Sequence, residues 1–145
     1  MEWKESFSVG VQELNAQHRE ILELINKIGE LADARNTGKS EAFGSLNAMI
    51  RYAEKHFKTE EDYLDKYGYP QSLQQKKEHE TFVEEVFAMA HGLEEDGTLS
   101  LGTIIFYLQD WYTDHVLGSD QAYKEFLSHK LEGKGDAIVI NIDSI

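Results

Sequence analysis

The sequence contains no cysteine among its 145 residues. A chain without thiols forms no disulfide, no thiolate zinc site and no cysteine-ligated iron–sulfur cluster. Any metal that it binds must therefore be held by nitrogen and oxygen ligands.

Proline and long apolar runs are also scarce. The chain has one proline, and so few helix breakers within long periodic segments favour helices. Its most apolar run, Leu99 to Leu108, is too short to span a bilayer, and the first ten residues, MEWKESFSVG, lack the layout of a signal peptide. We expect a single all-α domain in the cytoplasm, with no membrane partner.

Basic residues are outnumbered by acidic ones, 14 to 27, which gives a formal net charge of −13. A surface of this sign repels phosphate backbones and anionic lipid heads, so nucleic acid and membrane partners are not expected. The same field attracts cations, although an excess of acidic residues is more often only a solvated surface. The charge therefore excludes classes of partner without identifying a function.

Four segments have the apolar periodicity of helices, and short connections of turn residues separate them. The predicted helices cover about Val11 to Arg35, Ser40 to Gly68, Gln71 to Glu94, and Leu99 to Leu131. Connections this short force neighbouring helices to be antiparallel, which predicts an up-down-up-down four-helix bundle over 1–131. Residues 132–145 form a predicted C-terminal tail, which either frays or docks on the bundle or on another chain.

Each predicted helix has polar residues on the stripe that should be apolar. One inward histidine is more often a hydrogen-bonded core residue than a metal ligand. Glu60 is different, because an unpaired buried carboxylate is costly and no lysine or arginine lies on these stripes. A metal cation would compensate all these groups at once. The inward polar residues are His18, His56, Glu60, Gln75, His79 and His115.

Spacing indicates one shared site. His56 and Glu60 are four residues apart and share a helix face. His115 and Asp120 are five apart, so a regular helix would point them away from each other. A break or π-type bulge near Gly118 and Ser119 would bring Asp120 back to the site, and Asp120 can equally cap a restarted helix. Imidazole and carboxylate ligands suit iron, zinc or manganese, and two bridging carboxylates suggest two metals.

The chain resembles the bacterial hemerythrins. The resemblance covers roughly residues 1–131 and rests on motifs that occur in the same order on four helices. These motifs are Trp3 with SVGV, QHREIL around His18, HFKTEE around His56 and Glu60, YP with EHETFVEEV around His79, and WYTDHVLGSDQAY around His115 and Asp120.

The resemblance implies two non-haem iron ions joined by an oxo or hydroxo bridge and by the carboxylates of Glu60 and Asp120. It implies that the iron that binds dioxygen is held by His18 and His56, with one position open. The second iron would receive three histidines in the family. His79 and His115 match two of them, and the third position is occupied by Gln75.

Gln75 leaves three interpretations open. Its amide oxygen can reach the metal as a weak ligand, since it lies one helical turn before His79. Alternatively, the coordination position is open or filled by water. Either case weakens one metal site and exposes a coordination position that is normally closed. The substitution can also be a tolerated loss or an engineered change.

The implied function is reversible binding of dioxygen, for storage, delivery or sensing, and no catalytic residue is assigned. Phe57 and Trp111 are expected to line the oxygen pocket, although both can equally be plain core aromatics. Other diatomic or anionic ligands fit the same site, and the redox partner is not identified. One alternative is a di-iron enzyme with oxidase, peroxidase or nitric oxide chemistry, and another is a bundle that binds a single metal. His91 and His129 lie outside the ligand pattern and are expected to face solvent.

Overall fold

The computed structural model describes residues 1–33, 38–95 and 100–133. Within these ranges the chain is helical, without strands. A short 3₁₀ turn, Glu5–Phe7, precedes the first long helix, and a π turn, His115–Ser119, joins the last two. The α-helices are α1 (Gln12–Asp33), α2 (Lys39–Lys66), α3 (Ser72–Glu95), α4 (Leu101–Asp114) and α5 (Asp120–Gly133).

The helices form an antiparallel bundle in which α4 and α5 together make the fourth helix. α1 packs against α2 and α4, while α3 packs against α2 and α4. This arrangement confirms the predicted all-α fold and its up-down-up-down topology. The fourth helix ends two residues beyond the predicted Leu131, a difference common at helix ends. The predicted tail lies outside the described residues from 134 onward, and none of the described helices is long and apolar enough to cross a membrane.

The end of α2 shows how local sequence fixes the turn between α2 and α3. Gly68 has a φ of 71°, a conformation that glycine adopts without a steric penalty. The amide of Tyr69 donates to the carbonyl of Leu64 at 2.9 Å, and the amide of Gly68 donates to that of Asp65 at 3.3 Å. This pair of bonds is a Schellman motif, and it ends the helix two residues before the predicted Gly68.

Two apolar clusters fill the bundle, and a polar layer separates them. The major apolar cluster includes Ile21, Ile25, Leu46, Met49, Ile50, Ala53, Phe82, Val86, Ile104 and Leu108. The minor apolar cluster consists of Val9, Val11, Leu14, Leu64, Tyr67, Tyr123, Leu127 and Leu131. Each buried aliphatic side chain contributes about 2 kcal/mol by its removal from water. The clusters therefore supply most of the stability of the bundle, and the layer between them is free for other chemistry.

The junction between α4 and α5 is a π turn that continues the helix without interrupting it. The amide of Asp120 donates to the carbonyl of His115, five residues earlier. Asp120 has helical φ and ψ angles of −72° and −36°, whereas a helix N-cap has an extended conformation. The predicted π-type bulge is thus confirmed, and the capping interpretation of Asp120 is wrong because the helix continues through it.

Candidate metal centre

All the inward polar residues that the sequence singles out meet in one layer between the two apolar clusters. α1 contributes one of them, α2 and α3 contribute two each, the π turn contributes one and α5 begins with one. None exposes more than 4% of its surface. They are His18, His56, Glu60, Gln75, His79, His115 and Asp120.

Glu60 lies at the centre of the layer, and its two carboxylate oxygens face different histidines. Oε2 lies 3.4 Å from Nε2 of His18 and 3.3 Å from Nε2 of His56. Oε1 lies 2.9 Å from Nε2 of His79 and 3.9 Å from Nε2 of His115. The carboxylate therefore divides the centre into a His18 half, with His18 and His56, and a His79 half, with His79 and His115.

Asp120 repeats this arrangement from the opposite helix. Its Oδ2 is 3.2 Å from Nε2 of His18, and its Oδ1 is 3.0 Å from Nε2 of His115. The π turn makes this possible because it adds one residue to the turn and rotates Asp120 onto the face of His115. Two carboxylates from two helices thus each contact imidazoles of both halves.

The layer contains buried atoms that lack hydrogen-bond partners, although such atoms are rare in folded proteins. They include Nε2 of His18, His79 and His115, and Oε1 of Glu60. Oδ2 of Asp120 and Oε1 of Gln75 are also buried without a hydrogen-bond partner. One potential ligand atom from each of His18, His56, Glu60 and Asp120 lies within 4.8 Å of the others, and the same holds for Glu60, His79 and His115. Imidazole nitrogens and carboxylate oxygens that converge within this distance fit a site for cations.

Electrostatics favour ionised carboxylates in this layer. Burial would raise the pKa of Glu60, but the surrounding imidazoles hold that pKa well below its usual value. The pKa of Asp120 is also lowered, because His115 and His18 outweigh the opposing effects of burial and of Glu60. Ionised carboxylates are the form that binds cations.

The pKa values of the histidines shift in opposite directions in this layer. Burial alone would lower the pKa of His18 and of His115, but the two carboxylates raise these pKa values to about 9 and about 10. Burial dominates at His56, whose pKa is lowered. A cation bound in the layer would take the place of the protons on His18 and His115.

Hydrogen bonds behind the ligands orient two of the imidazoles. Nδ1 of His56 lies 2.8 Å from Oε1 of Gln17, and Nδ1 of His79 lies 2.8 Å from Oε2 of Glu61. Since both partners are acceptors, the proton of each ring lies on Nδ1 and the lone pair of Nε2 faces the layer. Neither Gln17 nor Glu61 was identified from the sequence, although Gln17 precedes His18 and Glu61 follows Glu60.

Tyr123 is a further residue that sequence reasoning missed. Its hydroxyl donates to Oε2 of Glu60 at 2.6 Å, and the ring is fully buried in the minor apolar cluster. Burial and the two carboxylates raise its pKa well above the usual value, so the hydroxyl stays protonated and can donate. Its position three residues after Asp120, on the same helix face, was the available signal.

Phe57 and Trp111 lie against the His79 half. The ring of Phe57 stacks on that of His79 with a centroid distance of 3.9 Å, and Trp111 stacks on His115 at 4.5 Å. Phe57 also contacts His56 at a tilted angle. These rings cover one side of the layer with apolar surface, and their assignment to an oxygen pocket stays a prediction. His91 and His129 are exposed, as expected.

Comparison with known proteins identifies the family. Residues 9–127 match the model described as "Hemerythrin HHE cation binding domain". A "Hemerythrin-like protein" of Naegleria gruberi is 34% identical over 125 residues, which cover 86% of this chain and 92% of that protein. A "Bacteriohemerythrin" of Clostridium acetobutylicum is 29% identical over 126 residues, covering 83% and 96%. A solved structure, "Crystal structure of hemerythrin:wild-type", has a TM-score of 0.79 at 28% identity and covers 88% of this chain and 98% of that one. The chain belongs to the hemerythrin family of cation-binding four-helix bundles.

Proposed function

We propose that this chain binds two non-haem iron ions in its polar layer and binds dioxygen reversibly at that centre. The observation that carries the proposal is the position of two fully buried carboxylates, Glu60 and Asp120, each of which contacts imidazoles of both halves. A carboxylate that contacts imidazoles through both of its oxygens is suited to join two neighbouring cations. Family membership supports iron as the metal and dioxygen as the ligand.

The proposal assigns a role to each of six side chains. Glu60 and Asp120 would bridge the two ions. His18 and His56 would hold the ion in the first half, and His79 and His115 the ion in the second. When bound, two ferrous ions supply the electrons that dioxygen takes up on binding.

The surroundings of the layer suit a reactive metal centre. The major and minor apolar clusters enclose the layer from both ends, and Phe57 and Trp111 cover the His79 half. Apolar walls exclude water and limit uncontrolled oxidation of the metal. A surface cleft of about 360 Å³ between α2 and α3 is lined in part by Phe57, Glu61, His79 and Val83, so it borders the His79 half.

The first test is the metal content of the full chain purified without added metal. The proposal predicts two iron ions per chain, measured by elemental analysis. It also predicts a visible absorption band that disappears on anaerobic reduction, returns in air, and disappears again when the gas is removed.

A matched pair of variants makes the test specific. His56→Ala should abolish the reversible band, because it removes a proposed ligand of the oxygen-binding ion, whereas His129→Ala should leave it unchanged. A chain that binds no iron, or binds iron without reversible colour, contradicts the proposal. Steady consumption of peroxide or dioxygen with a reductant would instead favour the enzymatic alternative.

A further inference from the structure

We propose that Gln75 is a seventh metal-binding residue, whose amide oxygen Oε1 completes the His79 half, and that this half therefore holds its cation more weakly than the His18 half. This inference rests on the proposed function, since it concerns the same centre. It gives the two halves different affinities and a defined order of metal loading.

The position of the amide oxygen supports its role as a ligand. Gln75 is buried with 2% of its surface exposed, and its Oε1 has no hydrogen-bond partner. A buried acceptor without a partner is destabilising unless something satisfies it. Nε2 of His79, in the same layer, also lacks a hydrogen bond, although it lies 2.9 Å from Oε1 of Glu60.

The orientation of the amide is fixed by its other end. Nε2 of Gln75 donates to Oδ1 of Asp120 at 3.2 Å. The flipped amide would place its oxygen against this carboxylate oxygen, and two acceptors at that distance repel each other. Asp120 therefore selects the rotamer in which Oε1 of Gln75 is left for another partner.

Helix geometry places Gln75 beside a proposed ligand of the same half. Gln75 precedes His79 by four residues on α3, so the two side chains share one face and point into the same layer. Asp120, which accepts from Gln75, is also 3.0 Å from Nε2 of His115. The amide thus lies among the groups that would surround the second cation.

The donor sets of the two halves then differ in strength. Ligand atoms from two imidazoles and both carboxylates lie within 4.8 Å of one another in the His18 half, whereas the corresponding group in the His79 half consists of His79, His115 and Glu60. Asp120 contacts the His79 half at His115, 3.0 Å away, and Gln75 adds a neutral amide oxygen. A neutral amide oxygen binds divalent transition metals more weakly than an imidazole does. We therefore expect the His79 half to bind its cation after the His18 half does, and to release it first.

The surface of the protein favours the same order. His79 lines the cleft between α2 and α3, and His115 lines a second cleft of about 360 Å³ between α3 and α4, next to Trp111. Each histidine of the His79 half thus borders a surface cleft, whereas neither of these two clefts is lined by His18 or His56.

The test is a titration of the metal-stripped full chain with Co²⁺, followed by calorimetry and by visible absorption. The parent should bind two Co²⁺ ions in two resolved steps. Gln75→Leu should weaken the second step by about 10- to 100-fold and leave the first unchanged, while Gln75→His should strengthen the second step by a similar factor. Gln74→Leu, a neighbouring exposed glutamine on the same helix, is the matched control and should reproduce the parent.

Each outcome has a distinct meaning. A parent that binds no Co²⁺ contradicts the proposed function itself. Two steps that Gln75→Leu leaves unchanged overturn only the role of Gln75, and so does a parent that binds one ion until Gln75→His restores the second.

A measurement on the parent avoids dependence on the folding of Gln75→Leu. With ¹⁵N-labelled protein and diamagnetic Zn²⁺, the side-chain NH₂ signal of Gln75, assigned by its absence in Gln75→Glu, should shift during the second equivalent. A shift only during the first equivalent, or no shift, overturns the inference.

Discussion

The two halves of the metal centre share Glu60 and Asp120 but differ in what surrounds them. In the His18 half, the imidazole of His56 is held by the neutral amide of Gln17. In the His79 half, the imidazole of His79 is held by the carboxylate of Glu61 and covered by an aromatic ring. The His79 half thus has the more strongly polarised histidine, and the comparison shows how one bundle can build two unequal sites from the same residue types.

The largest loss of metal is expected when a carboxylate that both halves share is neutralised. Glu60→Gln keeps the shape of the side chain but removes a charge that both halves share, so we expect loss of both metal ions. Elemental analysis of the purified variant measures this. Glu54→Gln, an exposed glutamate on the same helix, should retain both ions, and retention of both by Glu60→Gln would show that the halves do not depend on a shared carboxylate.

Removing the metal should lower stability, because cations bind the folded layer and not the unfolded chain. At free metal about 1,000 times the dissociation constant, each bound ion stabilises the fold by about 4 kcal/mol. For a chain of this length, loss of one ion corresponds to a fall in Tm of about 10 °C. Thermal unfolding followed by circular dichroism, with and without a chelator, tests this prediction.

The Glu60→Gln variant provides the control for that experiment. Its Tm should not respond to the chelator, since it should hold no metal. A parent whose Tm is also insensitive would mean that the apolar clusters alone set the stability and that the layer binds cations weakly.

Tyr123→Phe should weaken both halves together, because the lost hydroxyl orients the shared Glu60. Loss of such a supporting hydrogen bond costs about 10- to 100-fold in metal affinity. Competition with a chromogenic chelator measures the change. Tyr63→Phe removes a hydroxyl that bonds Glu13 at the surface and should change affinity little, so an equal effect in the two variants would argue against a special role for Tyr123.

The smallest changes in metal affinity are expected from substitutions that affect one half only. Gln17→Leu removes the acceptor behind His56 and should weaken only the first Co²⁺ step, by about tenfold. Glu61→Leu removes the acceptor behind His79 and should weaken only the second step by a similar factor. If both variants affect the same step, the division of the centre at Glu60 is wrong.

Much of the fold and of the site could be predicted from local pattern. The apolar stripes with His18, His56, Glu60 and His79 among them indicated which side chains point inward, because helical periodicity fixes the face of each residue. The spacing of His115 and Asp120 even indicated a π-type bulge, since a regular helix could not bring the two together. Gln17 and Glu61 lie outside the stripes and gave no such signal. Tyr123 has helical spacing from Asp120, but its role became visible only through its hydrogen bond to Glu60.

The sequence by itself determined the helices, their antiparallel order and the ligand types, because these follow from periodicity, connection length and the absence of cysteine. The tertiary structure decided which histidines share a half, which oxygen of Glu60 and Asp120 faces each of them, and that the amide oxygen of Gln75 has no partner. Those relations depend on the rotation and axial position of each helix within the bundle. The packing of the two apolar clusters sets both, and the pattern of any single helix does not contain them.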